Sequence, residues 1–282
     1  EKPEPGWPAE GRGEPRVCMA IAKLANRKHD IRPQDFAPRC IPLDRLQLPA
    51  AGEVHAWYLD LGHLARSLRG ALDGHAGPRD PAPFTAGQLR FARRFYLRLL
   101  LGAYLGIPGK DVKINRHIRG KPALDAAAHP EELHFSMAKS EDRLLIGFAT
   151  SAQVGVDLEP AARRALKPLG LANRYFSAAE AAALSALRPA ELDAAFLRAW
   201  ACKEAVVKAS GQGIANQLCR FSVETDPARP ARVLDFEGDS AAAWSLALLC
   251  PEEGFLGAVA ARSARLDIRP YRLLPAGAGP DR

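Results

Sequence analysis

The chain has 282 residues, 48% hydrophobic and 25% charged, enough for one large or two small domains with substantial cores. No apolar run reaches the roughly 18–20 residues of a membrane-spanning helix, and the five cysteines (Cys18, Cys40, Cys202, Cys219, Cys250) include no Cys-x-x-Cys, which argues against a zinc module or a disulfide framework. The net charge of +7 favours acidic partners: nucleic acid, a polyphosphate cofactor or an acidic protein.

Residues 1–50 are rich in Pro, Gly and charge. They read as a loosely packed extension, disordered over Glu1–Val17, with a short helix expected at Met19–Lys28. Regular patterning begins at Val54–Leu59, which alternates like a strand. A loop over Gly74–Pro83 leads to a long helix, Leu89–Leu105. Phe91, Phe95, Leu99, Leu100 and Tyr104 are its expected core face, Arg90, Arg94 and Arg98 form a second stripe, and Gly106–Gly109 ends it. Val112–Asn115 reads as a strand before the turn Arg119-Gly-Lys121-Pro122. Leu144–Phe148 and Val154–Leu158 are further strands.

Leu171–Phe176 reads as a helix, and Ser177-Ala-Ala-Glu180 has the capping-box pattern that starts another. A helix then runs through Trp200, Glu204 and Lys208, which share a face at spacing four, to a stop at Gly211. After Ala260 the composition returns to Pro, Gly and Arg, read as a tail over 265–282. Each half, 51–150 and 151–264, mixes a long helix with several strands. The expected architecture is therefore α+β, with two similar lobes and a cleft between them.

Asp157 and Glu159, two apart on a strand, share a face. With Glu204 on the helix they make three carboxylates on two rigid elements, a donor set suited to a hard divalent cation and a phosphate-bearing ligand. The competing reading is an exposed Glu204–Lys208 pair with Asp157 and Glu159 as a polar strand end. Lys121, set between Gly and Pro, and Lys139-Ser140 at a strand–loop junction are possible phosphate contacts, or else solvated lysines. The arginine stripe is either the lining of an anionic cleft or a solvated face. Glu180 reads as a capping acid and Trp200 as core. No Walker A, GxGxxG, GxSxG or HExxH motif occurs, and no aromatic–basic pattern or helix-turn-helix marks a nucleic-acid module.

Taken together these segments resemble the 4′-phosphopantetheinyl transferases of the surfactin-synthetase-activating type. Their Gly-Lys-Pro turn is matched by Gly120-Lys121-Pro122. Their Gly-x-Asp-x-Glu strand is matched by Gly155-Val-Asp157-Leu-Glu159. Their Trp-x-x-Lys-Glu-Ala-x-x-Lys-x-x-Gly-x-Gly helix is matched at every fixed position from Trp200 to Gly213. Arg174-Tyr-Phe-Ser177-Ala-Ala-Glu180 is similar to a fourth family segment, and the likeness spans about residues 53–262. The Phe-Asn-x-Ser-His-Ser loop departs: here it is Phe135-Ser-Met-Ala-Lys139-Ser140, with lysine for histidine. The family's basic segment before the long helix is not evident in Gly74–Phe84.

The resemblance implies a pseudo-twofold pair of α+β lobes, with coenzyme A and Mg²⁺ bound in the cleft. The implied reaction moves 4′-phosphopantetheine from coenzyme A to a serine of an acidic acyl or peptidyl carrier protein. Asp157, Glu159 and Glu204 would hold the metal, and Asp157, Glu204 and Lys208 would carry the catalysis. Lys121, Lys139, Ser140, Arg94 and Arg98 would bind the coenzyme. A cytoplasmic monomer that contacts neither membrane nor nucleic acid is expected. The alternative reading is a coenzyme A-binding protein without transferase activity.

Overall fold

A computed structural model describes residues 30–73, 84–116, 121–211 and 217–278. The helix expected at Met19–Lys28 and the loop at Gly74–Pro83 lie outside them. Among the described residues are five α-helices: α1 (Leu61–Asp73), α2 (Ala86–Leu105), α3 (Pro168–Tyr175), α4 (Ala178–Ser185) and α5 (Pro189–Ser210). None is long and apolar enough to cross a membrane.

Two sheets dominate. The larger has the order β1-β12-β2-β6-β5, from Ala37–Cys40, Asp267–Leu274, Glu53–Asp60, Arg143–Ala149 and His134–Ser140. The smaller has the order β10-β11-β7, from Ser245–Leu249, Phe255–Ala261 and Val154–Pro160. Two short antiparallel pairs, β3–β4 (Ile114–Arg116, Pro122–Leu124) and β8–β9 (Phe221–Val223, Val233–Phe236), complete the strands.

The strands alternate their side chains between faces, and this sorts the residues into layers. Trp57, Leu59, Leu144, Ile146 and Phe148 on one face of the larger sheet pack against Tyr96, Leu100, Leu101 and Tyr104 of α2. Val54, Ala56, Tyr58 and Leu145 on its other face pack against Val154, Val156, Leu158 and Val259 of the smaller sheet. The outer face of the smaller sheet packs against α5. The order of layers is helix, sheet, sheet, helix, and the α+β class holds.

Three expectations change. Part of the N-terminal extension is a strand: β1 pairs in parallel with β12 through Ala37–Tyr271 to Cys40–Leu274. The expected tail supplies β12, which lies between β1 and β2. Extended backbone at a sheet edge needs a neighbouring strand for its N–H and C=O groups, and the two ends of the chain supply that partner to each other and to β2. Third, Phe91 and Phe95 are not core. They are 72% and 47% exposed, because α2 turns inward the expected Leu100 and Tyr104 together with Tyr96 and Leu97.

The helix ends follow local chemistry. The Thr85 hydroxyl accepts the Gln88 N–H in a reciprocal capping box, and Gly106 closes α2 in the left-handed region. Ser177 and Glu180 form the expected capping box of α4. Gly211, at φ 67°, closes α5.

Candidate active site

The site forms where β7 meets α5, and glycine lets them meet. A Cβ on Gly155 would lie 1.9 Å from the Ala205 carbonyl oxygen and 2.3 Å from the Ala209 nitrogen, so only glycine allows this approach. Alternation along β7 sends Val154, Val156 and Leu158 into the core between the sheets. Asp157 and Glu159 therefore point the other way, toward α5, together with Gly155. Both are 5% exposed, and Glu204 on α5 is 6% exposed. That burial overturns the reading of the strand pair as a polar strand end and of Glu204–Lys208 as an exposed surface pair.

Lys208 supplies the countercharge. Its Nζ donates to Asp157 Oδ1 at 2.6 Å. Burial works against its charge, but the carboxylates of Asp157, Glu204 and Glu159 outweigh it and hold the ammonium above its ordinary pKa. Glu159 accepts from Arg163. Burial, reinforced by the charge of Asp157, nevertheless pushes the Glu159 carboxyl up to about 8. Asp157 Oδ2 is buried and accepts no hydrogen bond.

Among the described residues, no three His, Cys, Asp or Glu side chains stand ready-made around a metal position. The donor chemistry still suits a hard divalent cation. Two carboxylates share one face of β7, one of them with an orphaned oxygen, and a third acts on the same ammonium from α5. A buried carboxyl such as Glu159, held up by burial and by the charge of Asp157, is stabilised in its ionised form by an added cation.

One residue of the helix motif has a role that sequence reasoning missed. Lys203 is completely buried and donates to Glu180 at 2.8 and 2.7 Å and to the Phe221 carbonyl at 2.6 Å. Its ammonium also lies 4.2 Å from the centre of the Phe221 ring. Glu180 caps α4 and accepts the Val223 N–H as well. This buried pair joins α4, α5 and β8, and so sets the rotation that presents Glu204 and Lys208 to β7. The only signal in the sequence was the lysine directly before Glu204. Trp200 is core as expected, 4% exposed against Phe176 and Phe196.

The expected coenzyme contacts divide into two groups. Lys121 directs its ammonium to the carbonyls of Lys208 (2.8 Å) and Val154 (3.1 Å) and to Gln153 Oε1 (3.3 Å). It braces the start of β7 against the end of α5, and burial lowers its pKa to about 8. Arg98 likewise braces the chain after α2 through the carbonyls of Gly109 (3.3 Å) and Val112 (2.6 Å). Lys139 is exposed and Ser140 buried at the end of β5, and Arg94 is exposed on α2. The turn after Ser140 holds Glu141 at φ 52°, a left-handed conformation unusual for glutamate, and Arg93 donates to its carbonyl at 2.8 Å. Beyond β7, Leu166 is 77% exposed beside exposed Arg164 and Lys167.

Residues 153–260 match the model of the 4′-phosphopantetheinyl transferase superfamily. The chain is 31% identical over 226 residues to the 4′-phosphopantetheinyl transferase HetI of Nostoc sp., covering 74% of this chain and 87% of that one. Over 97 residues it is 39% identical to the 4′-phosphopantetheinyl transferase AcpT of Salmonella typhimurium, covering 33% of this chain and 46% of that one. Over 157 residues it is 27% identical to the human L-aminoadipate-semialdehyde dehydrogenase-phosphopantetheinyl transferase, half of each chain. With the extent of the HetI match and the superfamily match across β7 and α5, the chain belongs to the 4′-phosphopantetheinyl transferase superfamily.

Proposed function

We propose that this transferase moves 4′-phosphopantetheine from coenzyme A to a serine of an acidic apo acyl or peptidyl carrier protein. The serine oxygen bonds to the phosphorus that carries pantetheine. The bond from that phosphorus to the bridging oxygen breaks, and adenosine 3′,5′-bisphosphate leaves with that oxygen. Asp157, Glu159 and Glu204 would hold Mg²⁺, which when bound neutralises charge on the pyrophosphate. Glu204 accepts the serine proton, directly or through one water. Lys208 balances charge on the phosphoryl oxygens and exchanges its Asp157 contact for them. Lys139, Ser140 and Arg94 receive the coenzyme's phosphates, with Lys139 doing as a permanent cation what the family's histidine does. Lys121 and Arg98 brace the elements around them.

The observation that carries this reading is the buried Asp157–Glu159 pair, with an unpartnered oxygen on Asp157, set against Lys208 and Glu204. Displacement at phosphorus asks a protein mainly for positioning and charge neutralisation, and this arrangement offers both. A coenzyme A-binding protein with no transfer step does not need a proton acceptor beside its cation site. The test is incubation with coenzyme A, Mg²⁺ and a panel of apo carrier proteins. The expected result is a carrier whose mass rises by one phosphopantetheine. Carriers that all stay in the apo form, under conditions where the protein binds coenzyme A, would leave the binding-only alternative standing.

A further inference from the structure

Each carboxylate of the β7 pair is held by a cation through one oxygen. Lys208 donates to Asp157 Oδ1 at 2.6 Å, and Asp157 Oδ2 is left buried without a hydrogen bond. The Arg163 guanidinium holds Glu159 through Oε2. The two cations come from different elements, Lys208 from α5 and Arg163 from the chain just past the end of β7. A reverse turn brings Arg163 back, its N–H donating to the Pro160 carbonyl at 2.9 Å. That turn is anchored without the arginine side chain. Ala161 donates to the Gly254 carbonyl at 2.7 Å, and Ala161 and Ala165 are buried in the same core as α5. The Arg163 side chain is 27% exposed against 6% for Glu159, so the guanidinium is the outer member of the pair.

We propose that Arg163 is a positioning residue for the metal: it fixes the Glu159 carboxylate by one oxygen and so orients it, beside Asp157, to ligate the cation. The proposal rests on the reading above, in which Asp157, Glu159 and Glu204 hold Mg²⁺. Mg²⁺ demands near-ideal octahedral geometry, so a ligand that turns freely loses affinity. Glutamate has one more rotatable bond than aspartate, and Glu159 stands next to the last residue of β7. Of the two strand carboxylates it has the greater need of an anchor. A ligating carboxylate is ordinarily held by a partner of its own, and loss of that partner costs about ten- to a hundredfold in metal affinity. Arginine suits this post, because its charge is permanent and its planar fork fixes a direction.

The test titrates Mn²⁺, a paramagnetic substitute for Mg²⁺ at oxygen ligands, into the protein with coenzyme A and no carrier, and reads free Mn²⁺ by electron paramagnetic resonance. Arg163→Ala should raise the Mn²⁺ dissociation constant about ten- to a hundredfold. Arg163→Lys should restore part of the loss. In transfer assays the Mg²⁺ needed for half-maximal rate should rise in parallel, and the rate at saturating Mg²⁺ should return close to that of wild type. The effect should act through Glu159, so in a Glu159→Gln background Arg163→Ala should add little. Unchanged Mn²⁺ binding in Arg163→Ala overturns the proposal, whether the variant loses only stability or raises only the carrier's Michaelis constant. Tighter binding also overturns it and makes the guanidinium a competitor of the metal. Wild type that binds no Mn²⁺ defeats the metal assignment itself, and this proposal with it. Wild type that binds Mn²⁺, with Arg163→Ala binding equally well, defeats the part given to Arg163 alone.

Discussion

The two long helices handle charge in opposite ways. α5 is buried without interruption from Ala194 to Val207, yet that stretch includes Arg198, Lys203 and Glu204. α2 buries one side and leaves Arg90, Phe91, Arg94 and Phe95 in solvent. A charge inside a protein costs several kcal/mol unless it is matched, and the three cations of α5 each have a partner. Lys203 has Glu180, Arg198 has the Arg229 carbonyl at 2.6 Å, and Lys208 at the buried end has Asp157. Arg90 and Arg94 on α2 carry no such obligation, because both are exposed to solvent. In the proposed function the interior helix supplies the reacting centre and the surface helix supplies Arg94 to bind.

That contrast can be broken most directly at the centre. Glu204→Gln and Asp157→Ala should each lower transfer by about 100- to 1000-fold or more, with the circular dichroism spectrum unchanged. EDTA should do the same to wild type, and added Mg²⁺ should reverse it. Transfer that survives EDTA would remove the metal from the scheme.

A stability comparison between the helices comes next. Lys203→Met leaves Glu180 buried without its cation and should cost about 3–5 kcal/mol in denaturant unfolding. Arg94→Ala on the exposed face should change stability by no more than about 0.5 kcal/mol. Similar losses for the two variants would mean that the burial contrast does not govern their energetics.

On the binding side, Lys139→Ala should raise the Michaelis constant for coenzyme A about ten- to a hundredfold, the loss of one charge-assisted hydrogen bond of roughly 1.5–3 kcal/mol. Lys139→His should be milder. Unchanged coenzyme A saturation in the alanine variant would place Lys139 outside the site. The carrier's Michaelis constant should rise several-fold between about 0.1 and 1 M salt, as the screening length falls from about 10 to 3 Å. Reversing the charges of Arg164 and Lys167 should blunt that rise. A salt-insensitive carrier constant would point to an apolar contact centred on Leu166.

The smallest effect concerns Lys121. Its pKa falls from 10.5 to about 8 on folding, so the folded state resists the charged form. Its favourable contribution is present above pH 10.5 and is lost as pH falls through 8. Wild type should therefore gain stability relative to Lys121→Met as pH rises from 8 to 10, read as melting temperature. A difference that stays flat over this range would show that Lys121 is not buried as described.

Much of this was legible before any tertiary structure. The Thr85 cap was not singled out, but the Ser177–Glu180 box was, and so were the stops at Gly106 and Gly211. Caps and stops depend on a few consecutive residues and their backbone torsions. The pairing of Asp157 with Glu159 on one strand face followed from period two. The core face of α2 was right at Leu100 and Tyr104 and misread at Phe91 and Phe95, which fit the helical period equally well. Periodicity marks which residues share a face, not which face is covered.

The sequence by itself therefore determined the long helices and central strands, the caps and stops at Ser177, Gly106 and Gly211, and the spacing of the three carboxylates, because spacing and turn chemistry act between near neighbours in the chain. Only the tertiary structure decided that Lys203 is a buried strut, that Lys121 and Arg98 brace carbonyls, and that residues 37–40 and 267–274 share a sheet. These depend on groups brought together from distant parts of the chain. Burial and the partners that make a charge tolerable are set there, by what packs against each side chain.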